Sequence, residues 1–354
     1  MSETIADWKA WTLIEPPGKR SYTVLRIRTA GGVDGYGECG PLPDGMLVKA
    51  MESLKGAAAT ALESAAARLE RFPHASGAVN IALLDICAKL ARASVYQFLG
   101  GPTRAKARAL TALEGDSDEQ VLAAMMAAGT AGHRAFLAPL AATRARNHGQ
   151  QLVKAVLARL EKLRAAAGEN VDFVLDGAGR LSPGDAAAVA RAVEKFHVLW
   201  FDEPCGAANL AGAAKISAEC VTPLGFGRTL ARGGDYQDLL REQAVDVLRP
   251  DTSRHGITGI RKLAALAETY YTAVAPFHDG GPVATAAALH LAASIPNFFI
   301  QQIPAAAGEA RKFRDAVAGA GLERVSEGYA ALPEAPGLGI RVDEAFLTSQ
   351  EVKR

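Results

Sequence analysis

A chain of 354 residues is too long for one ordinary domain and suits a barrel of roughly 250 residues with a smaller partner. Its 39 Lys and Arg against 38 Asp and Glu leave a formal charge of +1, so no electrostatic footprint for nucleic acid or an anionic membrane stands out. No apolar run approaches the ~20 residues that span a bilayer, the start MSETIADWKAW lacks a signal peptide's basic and apolar regions, and Cys39, Cys87, Cys205 and Cys220 show no metal-knuckle spacing, which together predict reduced thiols in a cytoplasmic protein.

The first hundred residues form one pattern. SYTVLRIRTAGGVDGYGEC alternates apolar and polar residues around AGG, the signature of an antiparallel hairpin. The Ala-rich stretches LVKAMESLKGAAATALESAAARLERF and GAVNIALLDICAKLARAS are helical by period, and FLGGPT then breaks the chain. This predicts an α+β unit over residues 1–105.

From there short apolar runs alternate with amphipathic helices: ARALTAL, RAFLAPL, VDFVLD, VLWFDEP, TPLGFG, AVDVLRPD, YTAVAPFH and NFFIQQ. Eight such units predict a parallel closed barrel over residues 106–318, with functional side chains at the C-terminal strand ends. The ends Asp176, Asp202, Arg228, Asp251 and Phe277 recur at intervals of 26, 26, 23 and 26 residues, one βα unit each, which puts them on the rim of one mouth. The Pro/Gly-rich tail EGYAALPEAPGLGIRVDEAFL, within residues 319–354, is too short for a domain and is expected to pack back on the first unit.

Asp176 and Asp202, on adjacent strands, bring two carboxylates together, so a proton or a cation must relieve their repulsion. A hard divalent cation completed by a third acid is one solution, and such a site can stabilise the enediolate formed when a base removes the α-proton of a carboxylate. Strand-end carboxylates that cap loops or pair with neighbouring Arg and Lys are the other. HDGGPVAT and QIPAAAGE carry glycines near helix starts, a weak anion-nest signal.

VDFVLDGAGRLSPGDAAAVARAVEKFHVLWFDEP, TPLGFGRTL, VDVLRPDTSRHGITGIRKLAALAE and GPVATAAALHLAASIPNF resemble the barrel of the enolase superfamily, in its mandelate racemase / muconate lactonizing enzyme branch, and most of all its acid-sugar (galactonate-type) dehydratases. RTAGGVDGYGEC, NIALLDICAK, VYQFLGGPT and PGLGI resemble the same family's capping domain, so the likeness covers nearly the whole chain in order. It implies an α/β fold: a modified (β/α)8 TIM barrel, enolase-like, with an α+β capping domain completed by the C-terminal tail. It also implies Mg²⁺ held by three acids on the third, fourth and fifth strands, a small carboxylate ligand, and a homo-oligomer.

Carried over position by position, the first metal ligand falls on Asp176. The second falls on Asp202, where the family's EEP or EQP reads DEP, with Glu203 pointing away from the mouth by strand alternation. The third belongs to a GE pair that here reads GR, so Arg228 holds its place. The second strand's Lys-x-Lys positions are Leu137 and Pro139, and the position of a dehydratase His two residues after the first ligand is Ala178. Asp251 matches the Asp of an Asp–His dyad, but Phe277 stands at the His position with His278 one residue later, which reverses side-chain direction in a regular strand. Gln302 replaces an acid of the eighth strand, His255 reads as a loop residue, and Lys19 and Arg20 lie in EPPGKR, one of two capping loops that with GPLPDGML close over the mouth.

Charge counting gives Arg228 a role. Three carboxylates with Mg²⁺ sum to −1, and so do Asp176, Asp202 and Arg228, so the guanidinium can stand for cation and third ligand together, forking across both acids. Two function classes follow: a lyase or isomerase on a hydroxy-carboxylate such as a sugar acid, with Asp251 orienting His278 as the base, or a metal-free, non-catalytic relative that binds a small ligand or a partner.

Overall fold

The computed structural model describes residues 3–18, 20–43, 45–141 and 149–352. Strands β1 (Ile5–Glu15), β2 (Arg20–Thr29) and β3 (Asp34–Cys39) form an antiparallel sheet in that order. The hairpin β2–β3 matches the alternating pattern, and β1 adds a further strand along β2. Helices α1 (Met46–Glu52), α2 (Leu62–Arg68), α3 (Pro73–Leu90) and α4 (Val95–Phe98) complete the cap. The stretch expected as one long helix is interrupted between α1 and α2, because its backbone is diverted to the edge of β1: Ile5 N donates to Ala57 O at 2.9 Å and Ala59 N to Glu3 O at 2.7 Å. Helix α3 lies close on the sheet because β3 carries glycine there. A Cβ on Gly37 would stand 1.9 Å from the Ala78 carbonyl oxygen, a distance no side chain can accept.

The barrel alternates β4 (Lys106–Ala112), α5 (Asp118–Thr130), β5 (Ala135–Pro139), α6 (Gln150–Ala167), β6 (Asp172–Asp176), α7 (Pro183–Val193), β7 (Phe201–Asp202), α8 (Leu210–Glu219), β8 (Leu224–Phe226) and α9 (Gly233–Arg241). It continues with β9 (Val247–Leu248), α10 (Thr252–Glu268), β10 (Ala273–Val274), α11 (Pro282–Ser294), β11 (Gln301–Gln302) and α12 (Gly308–Ala318). Parallel pairing runs without a break from β4 to β10. β11 pairs with β4, and a Val274–Phe298 bridge closes the ring. Inward side chains alternate along the strands as parity requires, so Leu110, Leu137, Val174, Trp200, Val247, Ala275 and Ile300 fill the interior. The eight-unit barrel read from the sequence is therefore the observed fold.

The tail divides its contacts. β12 (Val325–Ser326) and β13 (Tyr329–Ala331) form a hairpin that extends the sheet antiparallel to β4. Helix α13 (Glu344–Gln350) then packs on the cap, where Thr348 accepts from Trp11 Nε1 at 3.0 Å and Glu344 from Tyr36 Oη at 3.0 Å. Among the described residues no helix is long and apolar enough to cross a membrane, and all four cysteines are free thiols.

Cap and barrel are joined by a buried carboxylate. Glu38, on β3, accepts the backbone N–H groups of Gly281 at 2.5 Å, Val283 at 3.2 Å and Ala284 at 3.3 Å, so the HDGGPVAT nest is filled from within the chain. Burial pushes its pKa up from 4.5 to about 7, with the Gly281 N–H opposing. Between those values the folded state binds a proton the unfolded state lacks, so the contribution is present below about pH 4.5 and is lost as pH rises through about 7. Its size is on the order of 3 kcal/mol. Glu38→Gln is expected to remove it: the stability gap between wild type and variant, read by urea denaturation, widens from pH 8 to pH 5. A gap that stays constant would mean Glu38 does not titrate there.

Candidate active site

Interior parity brings the strand-end residues to one rim. Val174 and Asp176 share a face of β6, Trp200 and Asp202 a face of β7, and Val247 and Arg249 a face at β9. On β8 the inward position is Gly225, where a Cβ would stand 2.3 Å from the Trp200 ring. Gly227 follows at φ +130, which breaks the alternation and turns Arg228 toward the rim.

There Arg228 spans the two acids. Its Nη2 lies 2.5 Å from Asp176 Oδ1 and its Nε 3.3 Å from Asp202 Oδ2. A second guanidinium, absent from the sequence reading, closes the other side. Arg249 is fully buried and places Nε 3.1 Å from Asp202 Oδ1, donates from Nη1 to Ala275 O at 2.8 Å and from Nη2 to Gln302 Oε1 at 3.2 Å. Trp200 Nε1 also donates to Asp202 Oδ1, at 2.8 Å. The charge count with Arg228 alone thus omits a cation, and the cluster sums to zero. Burial opposes charge on Arg228, but Asp202 and Asp176 outweigh it and hold its pKa above the ordinary arginine value. Burial also pulls Arg249 below that value, with Asp202 opposing.

Phe277, at the expected His position, lies under both cations, with its ring centre 5.3 Å from the Arg228 Cζ and 5.7 Å from that of Arg249. Glu203 does not follow strand alternation. At φ +43 it turns along the rim, and its Oε1 accepts the backbone N–H groups of Gly227 and Arg228, both at 2.7 Å. Burial, then Asp202, raises its pKa to about 7.

The donor set does not suit a Mg²⁺ ion at this position. Hard cations of this kind take about six oxygens. Here two carboxylates already face two guanidiniums, and among the described residues no group of three or more Asp, Glu, His or Cys side chains is placed to hold a metal. Asp202 Oδ2 is buried beside Arg228 Nε without a hydrogen bond, so its relief is Coulombic and comes from arginine.

Asp251 and His278 do not form the expected dyad. Asp251 caps α10, its Oδ1 accepting from Ser253 N at 2.8 Å, and no hydrogen bond joins it to His278. Burial raises its pKa to about 6. His255 lies in the short turn that opens α10, set off from the rest of the helix by non-helical Gly256 (φ +62), with Nε2 3.0 Å from Tyr236 Oη. Because Phe277 takes the inward position, His278 faces the helix layer, with Nε2 3.3 Å from Thr285 Oγ1 and Nδ1 buried without a partner. Burial, then Arg314, lowers its pKa to about 3, so the ring is neutral near pH 7.

A cavity of about 290 Å³ opens beside the ion-pair cluster, over the ends of β4 and β11 and the loop after β10. Arg20, Thr111, Glu114, His278, Asp279 and Gln302 line it. Arg20 Nε lies 3.3 Å from Asp279, and its Nη1 and Nη2 lie 3.7 Å from Glu15 and Glu114. Gln302 joins cavity and cluster: its oxygen is committed to Arg249, so its amide N–H is the group it offers a ligand. Lys19 lies outside the described residues.

Residues 118–346 match the family model described as enolase C-terminal domain-like, and residues 11–100 match that of the mandelate racemase / muconate lactonizing enzyme N-terminal domain. A D-galactonate dehydratase of Ralstonia nicotianae is 31% identical over 272 residues, covering 76% of this chain and 71% of the relative. A D-galactonate dehydratase family member of Chromohalobacter salexigens is 29% identical and covers 98% of this chain and 95% of its own. The crystal structure of a mandelate racemase/muconate lactonizing enzyme-like protein from Roseovarius superposes with a TM-score of 0.90 at 26% identity, covering 99% of this chain and 96% of that one.

Proposed function

Since the chain belongs to the mandelate racemase / muconate lactonizing enzyme family, we propose that it is a lyase-type enzyme for a small hydroxy-carboxylate of the sugar-acid kind, working without a divalent ion at the position its relatives give to metal. The observation that carries the metal-free part is the guanidinium pair across Asp202, with Arg228 on one oxygen and Arg249 on the other. The likeness to D-galactonate dehydratases supports the substrate class and the lyase chemistry.

The cavity supplies the roles. Arg20 takes the substrate carboxylate, displacing Glu114 and Asp279, whose exposed pairs with it are weak. Gln302 donates its amide N–H to a substrate oxygen, and His278 Nδ1, covered in the free protein, accepts the α-proton once the bound substrate uncovers it. Burial, and after it the charges of Arg314, Arg20 and Arg249 with Glu323 opposing, keeps His278 weakly basic, and an anionic substrate offsets the charge part alone. The α-proton taken by His278 passes to the departing β-hydroxyl, which leaves as water, and the remaining enol becomes a 2-keto-3-deoxy acid.

A non-catalytic reading has one specific observation in its favour, the burial of His278, whose Nδ1 is covered in the free protein. One assay separates the two: metal analysis of the purified protein, then a sugar-acid screen followed by the semicarbazone of the keto product, with and without EDTA. Turnover unchanged by EDTA is the expected result. Turnover that requires added Mg²⁺ would overturn the metal-free reading, and calorimetric binding without turnover would favour the non-catalytic one.

A further inference from the structure

The geometry points to Glu323, acting through Thr285, as the positioning residue that fixes His278 in its Nε2–H tautomer and keeps Nδ1 the unprotonated nitrogen. This rests on the preceding reading of His278 as the proton-transfer group.

Thr285 lies one turn into α11 and has a single hydroxyl proton with three oxygen or nitrogen neighbours. Glu323 Oε1 is 2.5 Å away, Gly281 O 3.4 Å and His278 Nε2 3.3 Å. Glu323 is held as a carboxylate. Arg314 places Nε 2.6 Å from its Oε2 and Nη2 2.7 Å from its Oε1, and Arg311 Nη1 lies 3.8 Å from Oε2. Burial opposes the charge, but Arg314 outweighs it and holds the carboxyl below the ordinary glutamate range. The short, charge-assisted bond therefore takes the Thr285 proton.

The hydroxyl then faces His278 with a lone pair, so Nε2 must be the protonated nitrogen. The opposite tautomer sets two lone pairs against each other and buries an Nδ1–H with no acceptor, since Nδ1 has no partner. A doubly protonated ring has the same orphan and stands among Arg314, Arg20 and Arg249, with only Glu323 opposing. The ring borders the cavity, but Nδ1 is covered in the free protein, so a ligand hydroxyl or acidic C–H meets its uncommitted lone pair only when the ring or its cover shifts. The arrangement does the work expected of an acid beside the histidine, with the acid supplied from the turn after α12.

The test is ¹⁵N multiple-bond NMR of histidine-labelled protein without ligand, with the His278 signals assigned through His278→Gln. The expected wild-type pattern is neutral Nε2–H, unchanged from pH 8 to pH 6. Thr285→Val, isosteric and without the hydroxyl, is expected to lose that single pattern, and Thr285→Ser to keep it. In the hydroxy-acid assay Thr285→Val lowers kcat by about 10- to 100-fold at nearly constant KM, and Thr285→Ser restores it. A wild-type ring in the Nδ1–H form, an imidazolium at pH 7, or an unchanged Nε2–H pattern in Thr285→Val would each overturn the assignment. The tautomer is read without substrate, so an Nε2–H ring in a protein that turns over no hydroxy acid upholds this assignment while the lyase reading falls.

Discussion

Arg228→Glu is expected to lose about 3–5 kcal/mol of stability in EDTA, the range for removing one partner of a buried ion pair, and to recover much of it when Mg²⁺ is added. The wild-type cluster of Asp176, Asp202, Arg228 and Arg249 is neutral. The substitution takes it to −2, which one Mg²⁺ cancels. The ligands are in place for it: Asp202 Oδ2 has no hydrogen bond, Asp176 loses its guanidinium partner, and Arg249 stays on the other Asp202 oxygen. A free concentration 100 times the dissociation constant adds about 2.7 kcal/mol by mass action. Thermal melts with EDTA, Mg²⁺ and Ca²⁺, beside calorimetric titration of wild type and variant, read both effects. Wild type is expected to show no metal-dependent shift. Mg²⁺ binding by wild type at comparable affinity would mean that Arg228 does not stand in for the ion.

The legibility of this site followed distance along the chain. Asp176, Asp202 and Arg228 could be placed on one rim because one βα unit separates each from the next, and a barrel converts that period into adjacency. Arg249 was within reach of the same reasoning, since it has the parity of Val247 and precedes a strand-end Pro-Asp. Its neighbour Asp251, which matches a dyad acid by position, is instead a helix cap. Glu203 and Arg228 defeat simple alternation because positive φ at Glu203 and at Gly227 reverses side-chain direction, which no hydropathy pattern records. Thr285 and Glu323 are separated from His278 by 7 and 45 residues, and Glu323 by the eighth strand and its helix. Only the closed fold brings them together.

Arg314→Met should be among the most damaging single changes, and its cost should depend on pH. The guanidinium is fully buried and joins three parts of the molecule: Glu15 at the end of β1, 2.5 Å from Nη1, Glu323 in the turn after α12, and the Gly280 carbonyl in the loop after β10. Its removal leaves two carboxylates buried without their principal partner, a loss of about 3–5 kcal/mol or more near neutrality. In wild type the Glu323 pKa lies below its unfolded value, so its contribution is present above that value and lost as pH falls through the folded one. Without Arg314 the shift reverses: burial then raises the folded pKa, and stability rises as pH falls toward 5. The gap between wild type and variant in urea denaturation is therefore expected to shrink from pH 8 to pH 5. A gap equal at both pH values would assign the loss to packing of the arginine stem. Because a protonated Glu323 can donate to Thr285 rather than accept from it, the same variant is expected to release the His278 tautomer at low pH, so the arginine that docks cap, barrel and tail also sets which nitrogen of the ring carries the proton.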